Sequence, residues 1–350
     1  MNLSKHFSFC IIFLLFTCGL LYSQTNSDHD YISEEINFSC EHFRLNGNLL
    51  LPDTLNQFPL IVYVWGSGPT KMEMHIERST ILHKFLENGY AVFLYDKPGS
   101  GASTGAFNPE KLFQERSRIL VKALDEIKKH HNIHPGKIGL FGSSQASYII
   151  ATVLKKSTDI SFVVAWSCPM ENSIRQSAYQ VKKYLLCADV SPDSAELAYN
   201  SFVSAYMAAD YQRYYKNALI LNRIPEIRDE MGWGNIVSED EFIPTDSLSE
   251  SLINPAELLK DIKIPFLALY GELDKNIDPE QAKTALAEIM KHNRNHRITL
   301  STIPDADHNM IVGGSGCVQE QMNNYRDVKN RKMSEKFYST VINWLVNLNL

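Results

Sequence analysis

The chain has 350 residues, enough for one large or two ordinary domains with a sizeable core. Its 44% hydrophobic and 21% charged residues belong to a globular protein and exclude a disordered chain. A net charge of -6 without any long basic run argues against nucleic acid or anionic lipid as the main partner.

Lys5 and His6 precede an almost unbroken apolar stretch from Phe7 to Tyr22, followed by Ser23-Gln24 and a polar segment to Asp30. This is the n-region and h-region of a secretory signal, short for a stable membrane span. Cleavage is expected near Ser23, so residues 1–23 form the signal and 31–350 a single folded domain. An exported product, periplasmic or secreted, follows, with no integral membrane domain. Two alternatives stay open: an uncleaved N-terminal anchor, and a lipoprotein site at Cys18, which Thr17 fits poorly. Cys40, Cys168, Cys187 and Cys317 remain after cleavage. No C-x-x-C pair occurs, and free buried thiols and bridges are equally compatible with export.

Residues Ile36 to Leu51 alternate loosely around Asn46-Gly47-Asn48, a hairpin turn signal. Leu60 to Trp65 is a continuous apolar run ending in Gly66-Ser67-Gly68-Pro69, which reads as a buried strand and a glycine loop. A helix is predicted from Thr80 to Asn88, a buried strand from Ala91 to Tyr95, and an amphipathic helix from Lys111 to His131. Lys137 to Phe141 is a further strand that runs into Gly142-Ser143-Ser144-Gln145-Ala146 and a helix through Leu154. Strands follow at Phe162 to Trp166, Pro265 to Tyr270 and Arg297 to Leu300, with helices from Pro279 to Lys291 and Ser334 to Val346. Solidly apolar strands alternating with helices define an α/β fold with a mostly parallel sheet covered on both faces. Residues from about 170 to 255 break the alternation. They are helical and rich in tyrosine, and they read as an insertion above the sheet.

Four elements fall at the carboxyl ends of predicted strands, where open α/β sheets place their sites. They are the loop at Gly66 to Pro69, the turn at Ser144, Tyr270-Gly271-Glu272-Leu273-Asp274, and Pro304-Asp305-Ala306-Asp307-His308. A tight strand-to-helix turn lifts a serine hydroxyl clear of the sheet, with the helix N-terminus behind it. Small residues two before and two after are required, here Gly142 and Ala146, the latter replacing the last glycine of G-x-S-x-G. The order Ser, Asp, His is a known triad order.

On these residues the chain resembles the α/β-hydrolases from roughly Ile36 to the C-terminus. Within them it is similar to exported bacterial esterase and thioesterase-like proteins with a serine-aminopeptidase-type lid. The shared features are the Gly-Ser-Gly-Pro loop, the stretch Tyr95-Asp96-Lys97-Pro98-Gly99-Ser100-Gly101-Ala102-Ser103, and the elbow at Ser144, whose Ala146 and Ser147 replace glycines. Trp65 stands where many relatives carry His. The resemblance implies the α/β-hydrolase fold, with a helical lid over about 170–255. It implies Ser144 as nucleophile, His308 as base and Asp274 as the acid that holds the imidazole. It further implies oxyanion donors at the backbone N–H of Gln145 and of Ser67, with Gly66 as the alternative to Ser67.

The expected activity is hydrolysis of a carboxylic ester of a small acyl substrate through an acyl-enzyme. Alternatives are a prolyl-type aminopeptidase, for which Glu226, Asp229 and Glu230 are candidate amine binders, a thioesterase, and an inert hydrolase fold serving as a binding module. Asp278 is the rival of Asp274, and Asp96 reads as structural. No cofactor is expected, and no metal site, since His130, His131 and His134 lack a matching carboxylate or cysteine spacing.

Overall fold

A computed structural model describes residues 31–157, 159–231, 236–294, 297–320 and 332–348. The proposed signal segment 1–23 lies outside the described residues. An eight-stranded sheet carries the fold in the order β1-β2-β4-β3-β5-β6-β7-β8. Its strands are β1 (Ile32–Cys40), β2 (Phe43–Leu51), β3 (Phe58–Val64), β4 (Ala91–Tyr95), β5 (Ile133–Ser143), β6 (Phe162–Trp166), β7 (Phe266–Gly271) and β8 (Ile298–Ile303). β1 and β2 pair antiparallel with their neighbours, and β3 to β8 are parallel.

Helices cover both faces. α1 (Met72–Arg78), α2 (Thr80–Glu87) and α10 (Glu335–Val346) lie on one face, packing Ile76, Phe85, Phe337 and Val341 against Ile61, Val92, Val164 and Leu267. α3 (Leu112–Ile127), α4 (Ala146–Leu154), α8 (Pro255–Leu259) and α9 (Pro279–Asn293) lie on the other, against Val62, Phe93, Leu140 and Ala268. Every residue of β4 and β7 is buried, as a sheet sandwiched between two helix layers demands.

Between β6 and β7 the chain forms α5 (Ser173–Cys187), α6 (Pro192–Tyr206), α7 (Tyr211–Asn222) and a π-helical turn at Glu226–Glu230. These elements bury their own core of Val181, Leu185, Phe202, Tyr206, Leu221 and Ile227. Ser191 and Asp210 cap α6 and α7 with their side chains. A disulfide joins Cys187, at the end of α5, to Cys317, beyond β8; Cys40 and Cys168 are free and buried.

Three sequence expectations are corrected. The β1-β2 turn falls at Glu41-His42, between the paired Cys40 and Phe43, and not at Asn46-Gly47-Asn48. Gly47 lies inside β2 opposite Tyr95, where a Cβ would stand 2.8 Å from the Phe93 ring, so the glycine serves packing and not a turn. The helix expected to reach His131 ends at Ile127, because β5 begins at Ile133 and pairs with Phe58. β5 itself is longer than predicted: its register against β3 shifts between Phe58 and Leu60, which lets Pro135 and Gly136 bulge from the ladder.

Candidate active site

Ser144 follows β5 with φ at 53°, a left-handed conformation that non-glycine residues adopt at a cost of about 1–3 kcal/mol when the surroundings enforce it. Enforcement comes from both sides. The amide of Ser144 donates to the Trp166 carbonyl (3.2 Å) at the end of β6, and the Ser144 carbonyl accepts from the amide of Ser147 (3.1 Å) in α4. Below the turn there is little room. A Cβ on Gly142 would stand 2.7 Å from Ile150 Cδ1 and 2.8 Å from Ala146 Cβ.

Asp274 and His308 meet at the ends of β7 and β8. His308 Nδ1 lies 2.9 Å from Asp274 Oδ2, and the Asp274 side chain is wholly buried. The other oxygen, Oδ1, accepts from the amides of Asn276 (2.8 Å) and Ile277 (3.1 Å), which fixes the carboxylate. Burial opposes the imidazolium, but the charge of Asp274, its hydrogen bond and the charge of Asp307 outweigh it and raise the His308 pKa. The main chain of His308 is held by Ser167, whose hydroxyl donates to its carbonyl (2.8 Å). Ser167 follows β6 directly after Trp166, so the serine turn and the histidine loop are tied to one strand end. Among the described residues the Ser144 hydroxyl makes no hydrogen bond to His308, whose Nδ1 contact is with Asp274.

The glycine loop after β3 reaches the same spot. A Cβ on Gly66 would stand 3.1 Å from the Ser143 carbonyl and 3.5 Å from Ser144 Cβ. Among the described residues the amides of Gly66, Ser67 and Gln145 donate no hydrogen bond. Trp65 anchors the loop, its indole donating to the Tyr95 carbonyl (2.6 Å). Asp278 stands apart. It caps α9, accepting from the amides of Glu280 and Gln281. Asp96 accepts from the Met72 amide (3.0 Å) and braces the loop that follows β4. His130 meets Glu34 (3.0 Å) and stacks on His131, and no cluster able to hold a metal occurs among the described residues.

A narrow cleft, part of it open to solvent, runs from Gln145 to the helices inserted between β6 and β7, with neither Ser144 nor His308 in its lining. Its walls are Phe113, Tyr148, Ile174, Phe202, Tyr206 and Leu248, with Ser173, Ser177 and Ser251 as neutral polar groups. Glu226, Asp229 and Glu230 are not among them. Asp229 pairs with Arg228 and Glu230 accepts from the Tyr184 hydroxyl (2.6 Å). Sequence reading passed over Ser167 and Arg116. Arg116 left a signal, a charge at helical spacing with Leu112, Leu120 and Leu124 on the inward stripe of α3.

The sheet order and the serine turn at the end of β5, with an acid–histidine pair at the next strand ends, define an α/β-hydrolase. The family profile of the X-Pro dipeptidyl-peptidases (S15 family) matches residues 41–302, and the chain belongs to that family. Hydrolase LUC6 of a Fusarium species is 29% identical over 115 residues, a match covering 30% of this chain and 26% of that protein, so the chain spans about a quarter of this relative's length. Among solved structures, the esterase Pf2001 of Pyrococcus furiosus superposes with a TM-score of 0.54 at 14% identity, covering 93% of this chain and 95% of that one. DcsB, solved with a substrate analogue, gives 0.50 at 18% identity over 86% of this chain and 99% of that one. At such identities the likeness shows the fold alone.

Proposed function

We propose that the chain is an exported carboxylic ester hydrolase acting through Ser144, His308 and Asp274. His308 Nε2 takes the proton of Ser144 as the serine oxygen attacks the ester carbonyl. The carbonyl oxygen, now negative, is held by the amide of Gln145 and that of Ser67 or Gly66. Collapse of the tetrahedral intermediate expels the alcohol, which receives the proton from His308. Water then attacks the acyl-serine, with His308 again as base. Asp274 keeps Nδ1 protonated and stabilises the imidazolium.

The observation that carries the ester reading is the cleft beside Gln145. Among the described residues it is lined by aromatic, aliphatic and neutral polar groups and by no carboxylate. An apolar acyl group fits such walls, whereas a free peptide N-terminus needs a buried counter-charge beside it. The Cys187–Cys317 bridge supports export, since disulfides persist in oxidising compartments. A peptide substrate is the second reading, favoured by the family match.

The test is hydrolysis of p-nitrophenyl esters of increasing acyl length beside an Ala-Pro p-nitroanilide, by the wild type and Ser144→Ala. The expected result is ester turnover that Ser144→Ala reduces by about 10⁴-fold or more, with little anilide cleavage. Preferential anilide turnover transfers the assignment to the peptidase. An enzyme inactive on both and unlabelled by a fluorophosphonate is an inert binding module.

A further inference from the structure

The amides proposed to hold the oxyanion come from two loops, after β3 and after β5, and one buried side chain touches both. Arg116 is 5% exposed on the inward face of α3. One terminal nitrogen of its guanidinium donates to Oε1 of Gln145 (2.7 Å), and the other to the carbonyl of Trp65. Among the described residues no carboxylate pairs with it. Burial pulls its pKa down to about 10, against the opposing charge of Tyr95, which leaves a cation in an apolar setting at neutral pH. Such a placement costs the fold free energy, and strongly perturbed buried groups concentrate at functional sites.

Peptide geometry converts these contacts into an orientation. The described residues contain no cis peptide bond, and in a planar trans unit the C=O and the following N–H point in opposite directions. Holding the Trp65 carbonyl therefore turns the Gly66 amide away from the guanidinium. Lys97 acts likewise on the next unit. Its ammonium donates to the carbonyls of Gly66 (3.0 Å) and Gly68, which turns the Ser67 amide away from it. Lys97 grips the glycine loop, and Arg116 grips both that loop and the residue after the nucleophile.

We propose that Arg116 is a positioning residue that locks the two halves of the oxyanion hole to each other and places a positive charge behind them. The proposal rests on Ser144 being the nucleophile. It assigns Arg116 to the transition state and not to substrate binding, because Arg116 itself does not line the cleft.

The experiment compares wild type, Arg116→Met, Arg116→Lys, Gln145→Leu and Ser144→Ala on the best p-nitrophenyl ester, with phenylboronic acid as inhibitor. The boron takes an electron pair from the serine oxygen and becomes a tetrahedral anion, while the serine proton passes to His308. The boronate therefore reports on the oxyanion hole as the neutral ester does not. Arg116→Met is expected to lower kcat and weaken the boronate by about 10- to 100-fold each, with KM within about threefold of wild type. Arg116→Lys restores part of both, since it keeps the charge and loses the two-pronged grip. Gln145→Leu removes only the elbow-side contact and should show a smaller loss with the same kcat and boronate signature. It keeps the question open to measurement if Arg116→Met does not fold. A folded Arg116→Met with kcat and boronate affinity within about twofold of wild type overturns the proposal. So does a loss in either variant that merely follows the folded fraction in a thermal melt. Wild-type turnover by Ser144→Ala would overturn the serine reading itself, an outcome that the Arg116 variants cannot produce.

Discussion

Gly142 and Ala146 share the space beneath Ser144, where Ala146 replaces the usual second glycine. The methyl of Ala146 lies 2.8 Å from where a Cβ on residue 142 would stand, beside Ile150 Cδ1 at 2.7 Å and the Val64 carbonyl at 3.2 Å, so the two positions share this space without being its only claimants. Ala146 is fully buried. Gly142→Ala should therefore destabilise the protein by about 1–3 kcal/mol and lower kcat by moving the serine. Adding Ala146→Gly should return part of both losses, since the Ile150 and Val64 contacts remain and a glycine in α4 has its own cost of about 0.5–1 kcal/mol. Urea midpoints of the two single variants and the double variant close the cycle. Strict additivity would mean that the two positions do not share this space, contrary to the contact. Ser147, the second replaced glycine, lies in α4 and is buried; nothing in the structure explains its replacement.

At the scale of elements, the inserted helices are tied to the sheet domain by the Cys187–Cys317 bridge, by the Gln176 side chain on the Asn276 carbonyl (2.7 Å), and by a polar latch at Glu250. The N-cap of α3, Lys111, makes no side-chain cap. Glu250, just ahead of α8, fills that role from a distance, accepting from the amides of Phe113 (2.6 Å) and Gln114 (3.3 Å). Its neighbours Leu248 and Ser251 line the cleft. Glu250→Ala should cost about 1–2 kcal/mol, the range for a lost helix cap. It should also raise KM for longer acyl esters more than it lowers kcat, because it frees a wall of the cleft. A thermal melt and a chain-length series measure both. Legibility in the sequence divides along similar lines. β3, β4, β6 and β7 were readable as apolar runs because a sheet covered on both faces buries nearly every strand residue. The serine turn and the residues now seen paired, Asp274 and His308, were readable because each follows such a run. α1 was missed, since seven residues with only Met72 and Ile76 buried show no period. Asn46-Gly47 misled because an adjacent ring, not a turn, requires the glycine. The Cys187–Cys317 pairing spans 130 residues and has no local signature.

Over the whole molecule, buried titratable groups shape how stability responds to pH, and burial also raises Glu250. Burial, aided by Asp278 and opposed by Arg175, lifts Glu171 to about 7. Burial lifts Asp307 to about 6 against hydrogen bonds from Ile311 and Asn309. His308 is raised as well, burial opposing and Asp274 prevailing. All four hold a proton in the folded chain at pH values where the unfolded chain has released it. Stability from them is greatest at low pH and is lost as pH rises through their folded pKa values. His75 has the opposite sign. Burial lowers it to about 4, so its contribution is present above its ordinary 6.5 and lost as pH falls toward 4. From about pH 4.5 to 6.5 Glu171 and Asp307 both lose stability while His75 alone gains it, so these groups together favour the acid side and the urea midpoint should already be falling at pH 6.5. Between there and about pH 8, stability should fall by on the order of 1 kcal/mol, and Glu171→Gln should flatten that limb. A midpoint that rises steadily to pH 8, or a Glu171→Gln profile as steep as wild type, would overturn this assignment. The same interval governs the rate. His308 must shed its proton to act as the base for Ser144, so kcat/KM should climb with pH while the fold weakens.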